Sequence, residues 1–261
     1  MKYQLSAAEA DFYESTFVPA LFAAWARRLV DAVRPSRGQT VLDVACGTGA
    51  VARLAADLVG PSGSVVGLDR NEAMLGVARR IRPDVLWQRG DACALPCADG
   101  SFDLVLSQAA LMFFDDRVAA LREMGRVAGP SGRVAVQVPG RLAYSPGYRA
   151  LTEVVGRHAG PEVRDLLGAY FAVGEPDELR ALFADAGLTI DRFETWYGAT
   201  VLNSVDAFLA VELLPIADLV EPAVRERIVA ECHEELRSFV DDDGAVAVPI
   251  EVHVVTARVH I

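Results

Sequence analysis

Cysteine and histidine are scarce in this chain, and the spacing of the cysteines excludes a common kind of metal site. The 261 residues include four cysteines and four histidines. Cys93 and Cys97 lie four positions apart, which is not the spacing of a paired zinc-ligand motif, and no other ligand group lies nearby. We therefore expect no metal site. Free thiols are typical of a reducing compartment, so the predicted location is the cytoplasm.

Long apolar runs are missing as well. No stretch approaches the roughly 18 consecutive apolar residues that a membrane-spanning helix needs. The first residues show no positively charged segment followed by an apolar one, so the sequence predicts no secretory signal. Together these absences predict a protein that does not associate with membranes.

Basic side chains are too few to favour binding to nucleic acid. The chain has 25 Lys and Arg against 36 Asp and Glu, a net charge of −11, which repels phosphate backbones. The densest basic group (Arg79, Arg80 and Arg82) falls at the end of a predicted helix, where it complements the helix dipole. We expect a small-molecule substrate and no nucleic acid, and the oligomeric state stays open.

What the chain does contain is a regular alternation of strand and helix patterns. The predicted strands are residues 40–45, 64–69, 85–88, 102–107, 133–138, 188–193 and 247–259. Up to residue 138 each strand is followed by a turn or a helical pattern and then by another strand. This alternation predicts an α/β fold with a doubly wound, Rossmann-like, mainly parallel sheet.

Three helical stretches stand outside this alternation. They are residues 7–33, 141–174 and 204–240, and Pro19 is expected to kink or split the first. Open α/β sheets bind their ligands outside the carboxyl ends of the strands. We predict one domain over residues 1–261, in which these stretches form a helical cap at that edge.

The strongest local signal follows the first predicted strand, in the sequence VLDVACGTG at residues 41–49. Gly47 and Gly49 let the backbone approach a ligand closely, and the amides of the next helix point at that ligand. Asp69, which ends the second strand, can accept hydrogen bonds from both hydroxyls of a ribose. These features fit either a nicotinamide dinucleotide or S-adenosylmethionine.

Asp43 distinguishes the two cofactors. It lies beside the glycine turn, where a dinucleotide places its negative pyrophosphate, and a carboxylate would repel that group by several kcal/mol at low dielectric. S-adenosylmethionine has no phosphate and carries a positive ammonium and a positive sulfonium. The predicted cofactor is therefore S-adenosylmethionine, and a nicotinamide-dependent dehydrogenase is the less favoured alternative.

A third candidate contact follows the third strand, at residues 90–92. Asp91 can accept a hydrogen bond from the adenine amino group, and the amide of Ala92 can donate one to a ring nitrogen. The simpler alternative is that Asp91 only caps a turn.

Four stretches, in this order, resemble the successive motifs of class I S-adenosylmethionine-dependent methyltransferases, and are most similar to the group that acts in ubiquinone and menaquinone biosynthesis. They are residues 41–50, 67–75, 90–96 and 102–107. The resemblance covers about residues 7–138. It implies a methyltransferase whose seven-stranded sheet has an antiparallel last strand. It also implies a cofactor site that includes Ala45, Asp69, Asn71, Met74, Asp91 and Ala92.

The end of the fourth strand bears on the acceptor of the methyl group. Methyl transfer is a displacement at a carbon that the sulfonium already activates, so the protein mainly aligns the acceptor. Residues 107–110 read Ser-Gln-Ala-Ala. They do not resemble the Asn- or Asp-Pro-Pro-Tyr sequence of enzymes that methylate amino groups of adenine or glutamine. Gln108 is expected to face the methyl group, or else to order the loop by a hydrogen bond.

No residue pattern identifies a catalytic group. His158 is the general-base candidate because it lies in the long segment without strands. Tyr13, Tyr144, Tyr148 and Phe208 are predicted to line an apolar acceptor pocket, the alternative being that they pack only on one another. Since no base is evident, a protein that binds S-adenosylmethionine without transferring its methyl group is a further alternative.

Overall fold

A computed structural model describes residues 5–259 of the chain, so the ends of the predicted domain, residues 1–4 and 260–261, lie outside the described residues. Its centre is a seven-stranded sheet in the order β3-β2-β1-β4-β5-β7-β6. The strands are β1 Thr40–Val44, β2 Ser64–Asp69, β3 Leu86–Arg89, β4 Leu104–Gln108, β5 Arg133–Pro139, β6 Leu188–Leu202 and β7 Val246–Val259. The sheet is mainly parallel and ends in antiparallel strands, which confirms the predicted fold class.

Helices flank this sheet. They are α1 Ala7–Phe12, α2 Ala23–Val33, α3 Ala50–Val59, α4 Glu72–Ile81, α5 Arg117–Ala128, α6 Pro146–Ala159, α7 Pro161–Gly168, α8 Pro176–Asp185, α9 Val205–Glu212 and α10 Pro222–Glu235. Asp116 caps α5 by accepting a hydrogen bond from the amide of Ala119 at 2.8 Å, as a residue that precedes a helix is expected to do.

The register of the central strands fixes which residues meet at one edge of the sheet. Strand β1 lies between β2 and β4, with Asp43 opposite Gly67 on one side and Leu106 on the other. Farther along, Gln108 at the end of β4 pairs with Gln137 of β5. Because these strands are parallel, their carboxyl ends lie at the same edge. That edge holds the glycine turn.

The first helical stretch is continuous but changes its hydrogen-bonding pattern. A π-helix over Tyr13–Phe22 joins α1 to α2 and contains Pro19. Proline has no amide hydrogen to donate and its ring clashes with the preceding turn of an α-helix, so a wider turn accommodates it. The expected disruption at Pro19 therefore takes the form of a π-helix.

Strand β6 is longer than the sequence predicts. The prediction ended at Phe193, where the apolar run ends, but the strand continues to Leu202. It lies at the edge of the sheet, and most of its residues are half-buried or exposed. An edge strand needs no continuous apolar run, which is why its second half mixes polar, aromatic and small residues.

The chain divides into two compact units. The first contains the residues up to 138, residues 176–194 and the residues from 253 onward, and therefore holds the glycine turn. The second contains residues 139–175 and 195–252, and in it α6 packs on α7 and α10. The second unit includes the whole of the two later predicted cap segments, residues 141–174 and 204–240, and the cap itself stays a proposal.

Candidate active site

The turn after β1 has an unusual backbone. Ala45, Gly47 and Gly49 all have positive φ angles, of 57°, 55° and 89°. An alanine in this region is strained, and such strain is concentrated at functional sites. The amide of Gly49 donates to the carbonyl of Cys46 at 2.8 Å, which closes the turn immediately before α3 begins.

Gly49 has a structural reason to be glycine in addition to the predicted one. A Cβ atom at this position would lie 2.2 Å from Cη2 of Trp87, and at Gly67 it would lie 2.3 Å from Cζ3 of the same ring. The buried indole of Trp87 thus occupies the space that both glycines leave open. Gly47 differs, since a Cβ there would lie 3.9 Å from the ring of Tyr13, an ordinary contact.

Asp69 holds the glycine turn and the next helix together. One carboxylate oxygen accepts from the amide of Gly47 at 2.8 Å, and the other accepts from the amide of Asn71 at 2.8 Å. Burial raises the pKa of this carboxyl group, although these bonds and the nearby Arg70 oppose that effect. Asp69 is therefore a buried acceptor directly beside the glycine turn.

Asp43 is the second buried carboxyl group at this edge. It is 1% exposed, and its Oδ2 accepts from the amide of Ala52 in the first turn of α3 at 2.9 Å. Burial raises its pKa to about 8, and the charge of Asp69 adds to the effect. A positive ligand beside this pair would relieve both costs.

Asp43 makes the stability of the free protein depend on pH. The pKa of Asp43 is about 8 in the folded protein, whereas its ordinary value is 3.8. Between pH 4 and pH 8 the folded state therefore keeps a proton that the unfolded state has already lost. The group therefore stabilises the fold fully below pH 4, and the contribution is lost as the pH rises to about 8.

We expect Asp43→Asn, which keeps an acceptor for Ala52, to gain stability relative to wild type as the pH rises from 5 to 9. Urea unfolding at pH 5, 7 and 9 measures this. A constant difference across the range would show that Asp43 is charged throughout.

The residues predicted for the ribose and adenine lie close to Asp69. The side chain of Asn71 accepts from the amides of Ala73 and Met74 at 2.9 and 3.3 Å, and so caps α4. Its amide nitrogen donates to the carbonyl of Leu5 at 3.2 Å. Met74 is buried in a small cluster with Ala10. These contacts explain both side chains without a ligand, so their predicted cofactor contacts stay proposals.

Asp91 and Ala92 follow β3. A carboxylate oxygen of Asp91 accepts from the amide of Cys93 at 2.9 Å, so the simpler alternative, a turn cap, is realised. The side chain is nonetheless exposed, whereas Ala92 is buried. The carboxylate of Asp91 is therefore accessible to a ligand. Its contact with adenine stays a prediction.

Tyr13 lies against the glycine turn from the π-helix. Its ring stacks with the rings of Phe17 and Phe22, and both centroid distances are 5.4 Å. Burial raises its pKa well above the ordinary value, and Asp69, Glu14 and Asp43 act in the same direction. The next residue, Glu14, accepts from Arg53 of α3 at 2.8 Å and so anchors the segment. The structure thus brings Tyr13 to the predicted cofactor site.

Gln108 lies at the end of β4, beside the same turn. Its Nε2 donates to the carbonyl of Phe22 at 3.2 Å, which matches the ordering role considered as its alternative. The following residue, Ala109, has a φ of 52°, a second strained alanine at the carboxyl edge of the sheet. Gln108 therefore links the N-terminal segment to a strained strand end.

In the second unit, two of the predicted acceptor residues meet. The rings of Tyr148 and Phe208 are buried with their centroids 5.6 Å apart, and Phe171 lies 5.5 Å from Tyr148. Tyr144 does not join this cluster: it is 49% exposed, and the guanidinium of Arg141 lies 3.7 Å from its ring centre.

The hydroxyl of Tyr148 belongs to a polar network that the sequence analysis missed. It shares a 2.5 Å hydrogen bond with the hydroxyl of Thr200 and donates to Oε1 of Glu212 at 3.0 Å. Burial raises the pKa of Glu212 to about 7, although the bond from Tyr148 opposes this. The sequence carries one signal for Glu212: it is the single charged residue in the apolar run 207–217.

His158, the predicted base, is held by a hydrogen bond to a carboxylate. Its Nε2 lies 2.6 Å from an Oε2 of Glu231, so the pair joins α6 to α10. Arg157 contacts the same carboxylate at 2.5 Å, and the bonds from His158 and Arg157 lower the pKa of Glu231. This pairing gives His158 a structural role and does not support the predicted catalytic one.

The basic cluster at the end of α4 is neutralised by ion pairs with acidic side chains. The basic residues at the end of α4 are paired: Arg79 with Glu72, Arg80 with Asp11, and Arg82 with Asp57 and Asp84. Within residues 5–259 no group of three or more His, Cys, Asp or Glu side chains is placed to hold a metal ion. Over the same residues, no helix has the length and apolar character needed to cross a membrane.

Comparison with known proteins identifies the family. A methyltransferase domain model matches residues 42–136. The chain is 30% identical to the nocamycin O-methyltransferase of Saccharothrix syringae, over 95% of both chains. It is 41% identical to the demethylmenaquinone methyltransferase of Renibacterium salmoninarum, over 51% of this chain and 55% of that protein.

A solved structure shows the same fold. It is a putative methyltransferase from Bacillus halodurans, with a TM-score of 0.63 at 18% identity, over 89% of this chain and 97% of that one. The chain belongs to the class I S-adenosylmethionine-dependent methyltransferases, and this confirms the predicted family and its cofactor. The aligned region spans little more than half the length of the demethylmenaquinone methyltransferase.

Proposed function

We propose that this protein transfers the methyl group of S-adenosylmethionine to a small, largely apolar acceptor that carries oxygen substituents. The observation that carries this proposal is the pair of buried carboxyl groups, Asp43 and Asp69, on either side of the Gly47 turn. Burial raises the pKa of both carboxyl groups, and such a buried acidic pair favours a positive ligand and disfavours a phosphate.

The residues at this edge fit the cofactor. Asp69 would accept from the ribose hydroxyls, Asp91 and Ala92 would contact the adenine, and Asn71 and Met74 would line the nucleoside. Ala45, Gly47 and Gly49 would supply the closely approaching backbone, with Asp43 near the ammonium group and Gln108 near the methyl group. When bound, the cofactor supplies a sulfonium-activated methyl carbon, so the chain itself has to bind, orient and desolvate the acceptor.

Replacing Asp69 tests the cofactor site. We expect Asp69→Ala to weaken binding of S-adenosylhomocysteine by roughly 1.5–3 kcal/mol, the range for a hydrogen bond to a charged group. Asp69→Asn, which keeps an acceptor for Gly47 or Asn71, should lose less. Isothermal calorimetry measures both variants, with the exposed Asp57→Asn as the matched control. An unchanged affinity in Asp69→Ala would contradict the assignment.

The acceptor proposal rests on the second unit and on the relatives. The relatives that the chain resembles are named for a quinone precursor and for nocamycin. The rings of Tyr148, Phe171 and Phe208 pack on one another, and this apolar cluster would form the wall against which a planar molecule binds. Within the second unit we propose Tyr148 and Phe208 as acceptor contacts, with Tyr144 as an exposed residue beside Arg141. Within the first unit we propose Tyr13, beside the glycine turn.

Glu212 is a better candidate than His158 for a proton acceptor. Its pKa of about 7 lets it exist partly as the carboxylate at neutral pH, and Tyr148 connects it to the aromatic cluster. His158 already bonds Glu231. We therefore propose Glu212 as the group that takes the proton of an acceptor hydroxyl.

Two measurements separate methyl transfer from binding alone. Mass spectrometry of the denatured protein identifies a cofactor that copurifies, and we expect S-adenosylmethionine or S-adenosylhomocysteine. Transfer of labelled methyl groups to a panel of hydroxylated bicyclic rings then tests catalysis. Tight binding without transfer to any member would favour the non-methylating alternative, and copurification of a nicotinamide dinucleotide would favour the dehydrogenase.

We also propose a cytoplasmic location and no nucleic-acid partner. All four cysteines are free thiols, as in proteins of reducing compartments, and the net charge is −11. Arg79, Arg80 and Arg82 are paired with carboxylates, which supports the proposal that the protein does not bind nucleic acid. A salt-sensitive mobility shift with duplex or single-stranded nucleic acid would contradict it.

A further inference from the structure

Two glutamines with buried side-chain amide atoms occupy paired positions near the carboxyl edge of the sheet. Gln137 is 0% exposed, and neither its Oε1 nor its Nε2 has a hydrogen-bond partner among the described residues. Oε1 of Gln108 is likewise buried without a partner in that part of the chain, while Nε2 of Gln108 donates to Phe22.

The sheet register places these two side chains on one face. Gln108 and Gln137 are paired residues of the parallel strands β4 and β5, and paired residues in neighbouring strands point to the same side. Asp43 lies on this face too, because it pairs with Leu106, two residues before Gln108. The amides and the carboxyl group of the proposed cofactor site thus share one side of the sheet.

Three buried polar atoms without partners are costly to the fold. Each gives up hydrogen bonds to water and receives none in return, whereas leucine or methionine would fill the same space at no such cost. Buried polar groups that a fold leaves unpaired call for a specific explanation, such as a ligand. The strained backbone of Ala109, directly after Gln108, marks the same place.

We infer that Gln108 and Gln137 form a binding site for a hydroxyl group on the ring of the acceptor. A hydroxyl both donates and accepts, and the amide pair offers two acceptors (both Oε1 atoms) and one donor (Nε2 of Gln137). This inference rests on the proposed function and adds to it the polar feature by which the acceptor is recognised. Because Gln108 also bonds Phe22, filling the site is coupled to the position of the π-helix.

Thermal stability of the ligand-free protein gives the first test. Gln137→Met removes the amide and keeps the shape of the side chain, so we expect the Tm to rise by about 2–4 °C. The matched control is Thr152→Val, in which the buried hydroxyl that donates to Arg149 at 2.9 Å is lost, so its Tm should fall. A lower Tm in Gln137→Met would show that the fold itself satisfies the amide, and would overturn the inference.

Side-chain amide signals in nitrogen-15 NMR give the second test. The probe is 1,4-dihydroxynaphthalene, with naphthalene as the control that lacks hydroxyls, and Gln137→Met identifies the signal of Gln137. We expect the dihydroxy probe, and not naphthalene, to shift the Gln108 and Gln137 signals and to bind Gln137→Met at least tenfold more weakly. Signals that do not move, or move equally with both probes, would overturn the inference.

The two tests remain separate from the test of the proposed function. S-adenosylhomocysteine should bind Gln137→Met as tightly as it binds wild type, because the amide is assigned to the acceptor. If wild type fails to bind S-adenosylhomocysteine, the proposed function fails. The Tm and the probe signals still decide the role of the amides.

Discussion

Arg141→Met is expected to lower the free energy of unfolding by about 3–5 kcal/mol, the range found when one partner of a buried ion pair is removed. The carboxylate of Glu251 is fully buried. It accepts from the amide, Nε and Nη2 of Arg141 at 2.9, 2.9 and 3.0 Å, and Tyr197 donates to it at 3.2 Å. Methionine keeps the apolar stem of arginine, so the loss reports on the charge and its bonds.

The same substitution at an exposed pair is the control. Arg149 and Glu153 form a salt bridge one helical turn apart, and their side chains are 51% and 50% exposed. Arg149→Met should therefore cost no more than about 1 kcal/mol. Urea unfolding compares the two variants. Equal effects would show that the Arg141–Glu251 pair behaves as a surface pair.

The pH dependence of this effect has a definite sign. Burial alone would raise the pKa of Glu251, but the bonds from Arg141 outweigh it, so the pKa lies below 4.5. Its contribution is present above that ordinary value and is lost as the pH falls through the lowered one. The difference between wild type and Arg141→Met should therefore shrink in acid.

Gly49→Ala is expected to destabilise the protein by roughly 2–6 kcal/mol, from overpacking together with backbone strain. The added Cβ would lie 2.2 Å from the ring of Trp87, and the φ of 89° is unfavourable for any side chain. The measurement is the midpoint and slope of urea unfolding, followed by the affinity for S-adenosylhomocysteine of the fraction that folds.

Substitutions at two other glycines separate the effect of backbone strain from that of overpacking. Gly187 has a φ of 76° with open space around it, so Gly187→Ala reports the strain alone. Gly76 lies in α4 with open space and an ordinary φ, so Gly76→Ala should stabilise by about 0.5–1 kcal/mol. Adding Trp87→Leu to Gly49→Ala should recover part of the loss. If it recovers none, the ring is not the cause.

The sequence predicted those parts of the fold that depend on local patterns. Central strands such as β1 and β5 are largely apolar because both faces are buried, and they were recognised within two residues at each end. The second half of β6 was missed because an edge strand lacks that pattern. Pro19 was identified as a disruption, but its π-helix depends on how ten residues share their hydrogen bonds.

The candidate site likewise has a part that local sequence patterns predict and a part that they do not. Asp43, Gly47 and Asp69 lie next to strand ends that the pattern locates, so their proximity could be predicted. Tyr148 and Thr200 are 52 positions apart, and no periodicity relates them. The role of Trp87 beside Gly49 was likewise hidden, because a residue that fills the space above a glycine leaves no local mark.

The π-helix that carries Tyr13 has a consequence for how quickly the glycine turn can be reached. Its hydrogen-bonding pattern is rare and less favourable than that of the α-helices on either side, and polar contacts such as Glu14–Arg53 help to hold it. Segments of this kind open locally at a fraction of the cost of global unfolding. We therefore expect bound molecules at the turn to exchange through local opening of this segment of about ten residues, without unfolding of the sheet.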